Sequence, residues 1–200
     1  MLAVLRCIAA ATHWPARRDF STQDAVEALK AGGAELVVDG DITLHGDMSA
    51  SVVAINILCT SMNVTGTLVG AKDITTSGAI SIRGKVTMNA GGRLSTPALH
   101  IAGDGELAGA ADVVTTTPLI VHGQISVSKS LSAPSLTIAE SSVLTLSNAD
   151  AFSSSGTIVH VPSDVNVHGT VKFRGATMFC KTMNITALGR LSGFKMGYSK

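Results

Sequence analysis

Apolar and polar residues alternate in short bursts along this chain, and the bursts recur. The unit is apolar-x-apolar, closed two positions later by glycine or another small residue. It reads Ile42-Thr-Leu44-His-Gly46, Met62-Asn-Val64-Thr-Gly66, Ile80-Ser-Ile82-Arg-Gly84 and Leu99-His-Ile101-Ala-Gly103. It continues as Leu119-Ile-Val121-His-Gly123, Leu136-Thr-Ile138-Ala-Glu140, Val165-Asn-Val167-His-Gly169 and Met183-Asn-Ile185-Thr-Ala187. Successive starts are 20, 18, 19, 20, 17, 29 and 18 residues apart, so one gap alone breaks the period. Self-similarity at this spacing marks a solenoid, in which each repeat buries its apolar face only against its neighbours.

Period-two alternation is the mark of a half-buried strand, and the small residue after it lets the chain turn a corner. A second short strand follows that corner in nearly every repeat: Leu68, Val86 and Met88, Ile125 and Val127, Leu144 and Leu146, Val171 and Phe173, and Leu191. A weaker third strand is expected around Val53 and Ile55, Ile74, Val113 and Val114, Leu131, and Met178. Three strands per coil of about nineteen residues predict an all-β, single-domain triangular parallel β-helix of about eight coils. At a strand spacing of about 4.8 Å the rod would be roughly 40 Å long. Ile42, Val64, Ile82 and Ile101 are expected in one continuous internal column. The variable coil length departs from the strict hexapeptide code of left-handed β-helices and favours the right-handed form. The long gap is read as a Ser-rich loop, Ala149 to Ser155, inserted between coils, with Ile158, His160 and Pro162 as an irregular edge beside it.

The N-terminus reads differently. Residues 1–20 carry Arg6, Arg17 and Arg18, one acid (Asp19) and a small-residue run from Ile8 to Thr12, the composition of a mitochondrial presequence. Arg18-Asp-Phe-Ser21 resembles a processing-peptidase site, which predicts a cut before Ser21 and residence in the matrix. The apolar run Leu2 to Ala11 also fits a secretory signal, but Arg6 interrupts it. Residues 21–33 predict a helix, with Ser21 and Asp24 at its start and Gly32-Gly33 at its end. Such a helix would cover the unpaired edge of the first coil. The β-helix is assigned to residues 34–196 and a tail to 197–200.

Aromatic residues make up 4% of the chain, so the core must be filled in narrow layers by aliphatic side chains, alanine and methionine. No apolar run approaches the roughly 18 residues needed to span a bilayer as a helix. Three cysteines, Cys7, Cys59 and Cys180, lie far apart without metal-ligand spacing; Cys59 and Cys180 read as core fillers. Net charge is +1, but residues 21–164 hold 13 acids and 6 bases, whereas Lys172, Arg174, Lys181, Arg190, Lys195 and Lys200 follow Val165 with no acid. The C-terminal coils are therefore basic. Lys172, Arg174, Lys181 and Arg190 are candidates for contact with RNA, anionic lipid or an acidic partner, although no aromatics interleave to stack bases.

The valine- and isoleucine-rich, aromatic-poor coils and the segments DGDI, VTGTL, IRGKV and VHGTV resemble the bactofilins, a family of polymer-forming cytoskeletal proteins. The similarity covers about residues 36–193. It implies a right-handed triangular β-helix that assembles into filaments without nucleotide. It also implies an apolar contact near the C-terminal coil, for which Phe194, with Met196 beside it, is the candidate.

Residues for catalysis are sparse. Asp39, Asp41 and Asp47 come nearest to an acidic cluster, and no aromatics accompany them to stack sugars. His45, His122 and His168 occupy one motif position, but His45 and His122 are four coils apart, about 19 Å, too far to share a zinc ion. No glycine-rich loop opens a helix as a phosphate site does. The expectation is a non-enzymatic scaffold without cofactor, either stacking on itself or docking as a structural subunit of a large mitochondrial assembly such as a ribosome or respiratory complex.

Overall fold

The computed structural model describes residues 5–7, 13–14, 35–38, 41–44, 47–49, 55–147 and 156–193. Two short strands, β1 (Leu5–Cys7) and β2 (His13–Trp14), precede a first coil of β3 (Glu35–Val38), β4 (Asp41–Leu44) and β5 (Asp47–Ser49). The chain continues through β6 (Ile55–Cys59), β7 (Ser61–Val64), β8 (Thr67–Thr76), β9 (Ala79–Ile82), β10 (Lys85–Thr96), β11 (Ala98–Ile101) and β12 (Glu106–Thr115). Then come β13 (Leu119–Val121), β14 (Gln124–Ser132), β15 (Leu136–Ile138), β16 (Val143–Ser147) and β17 (Thr157–Val167). The last are β18 (Thr170–Arg174), β19 (Ala176–Ile185) and β20 (Arg190–Gly193). Long strands such as β8 and β10 turn a corner midway and serve two faces.

The product is a parallel β-solenoid of about seven turns with three faces. The recurrent motif builds the first face as eight stacked strands. Ile42 heads the column Met62, Ile80, Leu99, Leu119, Leu136, Val165 and Met183. Leu44 heads Val64, Ile82, Ile101, Val121, Ile138, Val167 and Ile185. The expected column is thus corrected at its first member: Ile42 stands one alternation away, in the neighbouring column, and Leu44 takes its place. On the second face Leu68, Val86, Leu107, Ile125, Leu144, Val171 and Leu191 are stacked.

The third face departs furthest from expectation. Its inward column is Ile57, Ile74, Leu94, Val113, Leu131, Val159 and Met178. Ile55 pairs with Ala71 at the corner instead of lying in this column, and Val53 lies outside the described residues. The segment around Ile158, His160 and Pro162 is strand, with Val159 and Val161 buried and the three expected residues exposed, and the expected irregularity is a register shift between Val161 and Asp164. The insertion accordingly falls inside one coil, between β16 and β17; Ala149 to Ser155 themselves are outside the described residues.

Beside that aliphatic column runs a buried polar one, through Thr76, Thr96 and Thr115. The Thr76 and Thr96 hydroxyls lie 2.8 Å apart and reach the Gly78 carbonyl at 2.7 and 2.8 Å. Thr115 donates to the Thr117 carbonyl at 3.0 Å. Corner carbonyls that bend out of the strand ladder satisfy these hydroxyls, so their burial costs little.

Motif glycines divide by what surrounds them. A Cβ on Gly84 would fall 2.0 Å from the Gly66 carbonyl oxygen, whereas one on Gly103 would meet only the His122 oxygen, at 3.7 Å. Close approach of successive coils demands the first glycine but leaves the second open. Gly84→Ala should cost ~1–3 kcal/mol because backbone must move, while Gly103→Ala should be neutral or stabilise by up to ~1 kcal/mol through the unfolded chain. Thermal unfolding of the two variants checks this; equal losses would show that the corner packing is misread.

At the N-terminal end β1 pairs antiparallel with β3, in the register Leu5↔Val38, Arg6↔Val37 and Cys7↔Leu36, and β2 pairs with β1. Strands from the segment read as a leader therefore lie on the edge that sequence reasoning assigned to a helix. That helix, residues 21–33, and the tail, 197–200, lie outside the described residues.

Candidate assembly site at the C-terminal end

In the interior of the rod each inward side chain is sandwiched between its equivalents one coil before and one after. Among the described residues the last coil, β19 and β20, has no second neighbour. Val165 and Val167 are fully buried, yet Met183 and Ile185, next in the same two columns, are 38% and 44% exposed. Met178, Cys180 and Leu191 are likewise only partly covered. Phe179 and Leu188 add exposed apolar surface on the same coil. Among the described residues β19 pairs with β17 alone and β20 with β18 alone, so a row of backbone donors and acceptors stays open along the same end. An apolar end rimmed by unpaired strand edges is the kind of surface on which another chain adds.

The basic residues flank this end unequally. Lys172 and Arg174 are exposed on the second face, in β18, and Arg190 is exposed on the same face one coil on, since Thr170 pairs with Arg190. Lys181 sits apart, at the corner where β19 passes from third face to first. Three of the four expected cations therefore share a face, and none makes an ion pair among the described residues. Lys172, Phe173, Arg174, Ser192 and Gly193 line a hollow that joins this face to the open end.

Of the other residues singled out from sequence, Phe194, Met196, His45 and Asp39 lie outside the described residues. His122 and His168 do follow the same strand position, two coils apart with Ala139 between, which is about 10 Å. No group of three His, Cys, Asp or Glu with metal-binding geometry occurs among the described residues. Asp41 accepts a hydrogen bond from Ser61 at 2.7 Å and is exposed. Cys59 is buried, and burial, aided by the charge of Asp41, pushes its thiol up to about 12. The thiol of Cys180 is also raised, by burial, although its side chain is only partly covered.

Sequence reasoning expected the contact at Phe194 and Met196 and gave Met183 and Ile185, the last members of the two motif columns, no such role. The available signal was positional: in the last repeat of an array, residues that would be interior become terminal. Neither a family model nor a curated protein nor a solved structure matches the chain.

Proposed function

We propose that this chain is a self-assembling structural scaffold of bactofilin type, whose subunits stack through their terminal coils in the mitochondrial matrix. The observation that carries the reading is the exposure of Met183 and Ile185 in columns that are otherwise sealed. Each such side chain gains about 1.5–3 kcal/mol when fully buried, and several must act together to offset the lost freedom of association. Met178 and Leu191, the last members of their own inward columns, supply the rest, and pairing of the open strand edges directs a partner into register.

The test uses the partly covered thiol. Alkylation at pH 8 should modify Cys180 well before Cys59 in dilute protein, and Cys180 should become protected as concentration rises and filaments appear by electron microscopy. A labelling rate at Cys180 independent of concentration, with no polymer, would remove the proposal.

The cations on the second face favour one other reading, that of a fixed subunit docking on RNA, anionic lipid or an acidic protein in a large mitochondrial assembly. Under it the chain stays monomeric when purified and co-sediments with a large particle from a mitochondrial lysate, and neutralising Lys172, Arg174 and Arg190 releases it.

A further inference from the structure

We infer that the outer surface of the third face, toward its C-terminal end, binds single-stranded RNA, with a base stacked on Phe179 and phosphates held by Arg174, Lys181 and Lys129. This surface is a side of the rod and not its end, so the inference does not need subunits to stack. It shares with the docking reading only an anionic partner.

Phe173 and Phe179 both lie among the C-terminal cations, and the register separates them. Phe173 follows Leu146 in an inward column of the second face and is partly covered. Phe179 pairs with His160 in an outward column of the third face and is 55% exposed, while Met178 and Cys180 on either side of it pack against the core. His160 is exposed one strand spacing away, about 4.8 Å. Ile158, 47% exposed, lies on the same side of β17 as His160. An aromatic ring standing out from a sheet offers the flat apolar surface on which a nucleic-acid base stacks, whatever its identity.

Cations stand at both borders of this surface. Arg174 ends β18 at the corner where Gly175, at φ 68°, turns the chain into β19. Lys181 occupies the opposite corner, where β19 passes to the first face. Lys129 precedes Ser130, which pairs with Ile158 as Ile158 does with Thr177, so Lys129 lies along the border of Arg174, two strand spacings or ~10 Å away. All three are exposed, and none makes an ion pair among the described residues. Acids at neighbouring positions are engaged: Asp164 accepts a hydrogen bond from Thr182, and Asp112 accepts one from Ser130. Positive charge around an exposed ring selects a polyanion that also carries flat apolar groups. A bilayer surface answers to the charge alone, because exposed His160 and Thr177 interrupt the apolar area that would have to enter the lipid. Thr177, two positions before Phe179 on the same side of β19, offers a hydroxyl to the ribose 2′-hydroxyl, the group that distinguishes RNA from DNA.

Fluorescence anisotropy of a labelled oligouridine of about twelve nucleotides, titrated with full-length chain at several salt concentrations, tests this. Wild type should bind, with an affinity that falls as salt rises. Phe179→Ala should weaken binding about tenfold, equivalent to about 1.4 kcal/mol, with the salt dependence unchanged, and Phe179→Trp should bind like wild type. Lys181→Ala should reduce the slope of log affinity against log salt by about 0.7, whereas Lys172→Ala, on the second face, should leave it as it was. These side chains are exposed, so melting temperatures should hold throughout. Binding indifferent to Phe179→Ala, or salt dependence lost equally in Lys172→Ala and Lys181→Ala, would show charge acting alone and overturn the inference. Binding to phosphatidylserine vesicles with none to oligouridine would overturn it too, and equal affinity for the deoxy counterpart would overturn the assignment to RNA. None of these results depends on whether subunits stack, so stacking stands or falls separately.

Discussion

Ile185→Asp should abolish self-assembly while leaving the monomer folded. Ile185 is 44% exposed on the last coil, so a carboxylate there remains hydrated in the free chain, and the melting temperature should shift by no more than a few degrees. On stacking the same position becomes interior. The interface then loses the burial of an isoleucine and must desolvate a carboxylate with no partner. Together these should raise the threshold concentration by at least ~100-fold, equivalent to about 2.7 kcal/mol. Met183→Asp, in the adjacent column, should act in the same way.

The same substitution four strands earlier in the same column should have the opposite outcome. Ile101 is 1% exposed, with Ile82 stacked before it and Val121 after. Ile101→Ala alone should cost ~2–5 kcal/mol, because neighbours held by two strand ladders cannot collapse into the cavity. Ile101→Asp adds a buried charge with no cation within the aliphatic core, which is enough to unfold a domain of ordinary stability. Circular dichroism should show lost strand signal for Ile101→Asp and native signal for Ile185→Asp. A folded Ile101→Asp chain would mean that these residues do not form a sealed column.

What was legible in the sequence followed from how each face is filled. The first face carries two aliphatic positions in every coil, so its alternation stood out, and all eight motifs fall in one stack. On the third face the second inward position runs through Cys59, Thr76, Thr96, Thr115, Ala133, Val161 and Cys180, and a hydropathy pattern scores its threonines as outward. In the threonine coils a single aliphatic residue was left to mark the strand, and Leu94 was overlooked. Val159 alternates with Val161 but follows the Ser-rich insertion, where an irregular edge was expected, and the start of the face was read two residues early, at Ile55 instead of Ile57. The threonine ladder could not be inferred, because what satisfies it is the Gly78 carbonyl at a corner, and corner geometry depends on the coil above. Charge along the chain did locate the basic end, but only the register separates Lys181 from Lys172, Arg174 and Arg190.

The N-terminal segment exposes a different limit. Its composition speaks of import, and composition carries no signal for three residues lying antiparallel on β3.

Sedimentation velocity of wild type beside Ile185→Asp, each from low to high micromolar concentration, addresses the central claim most directly. Wild type should pass from monomer to polymer while Ile185→Asp remains a folded monomer throughout. A wild-type chain that stays monomeric over the whole range, or an Ile185→Asp chain that polymerises at the same concentration, would contradict the claim that the open last coil is where subunits join.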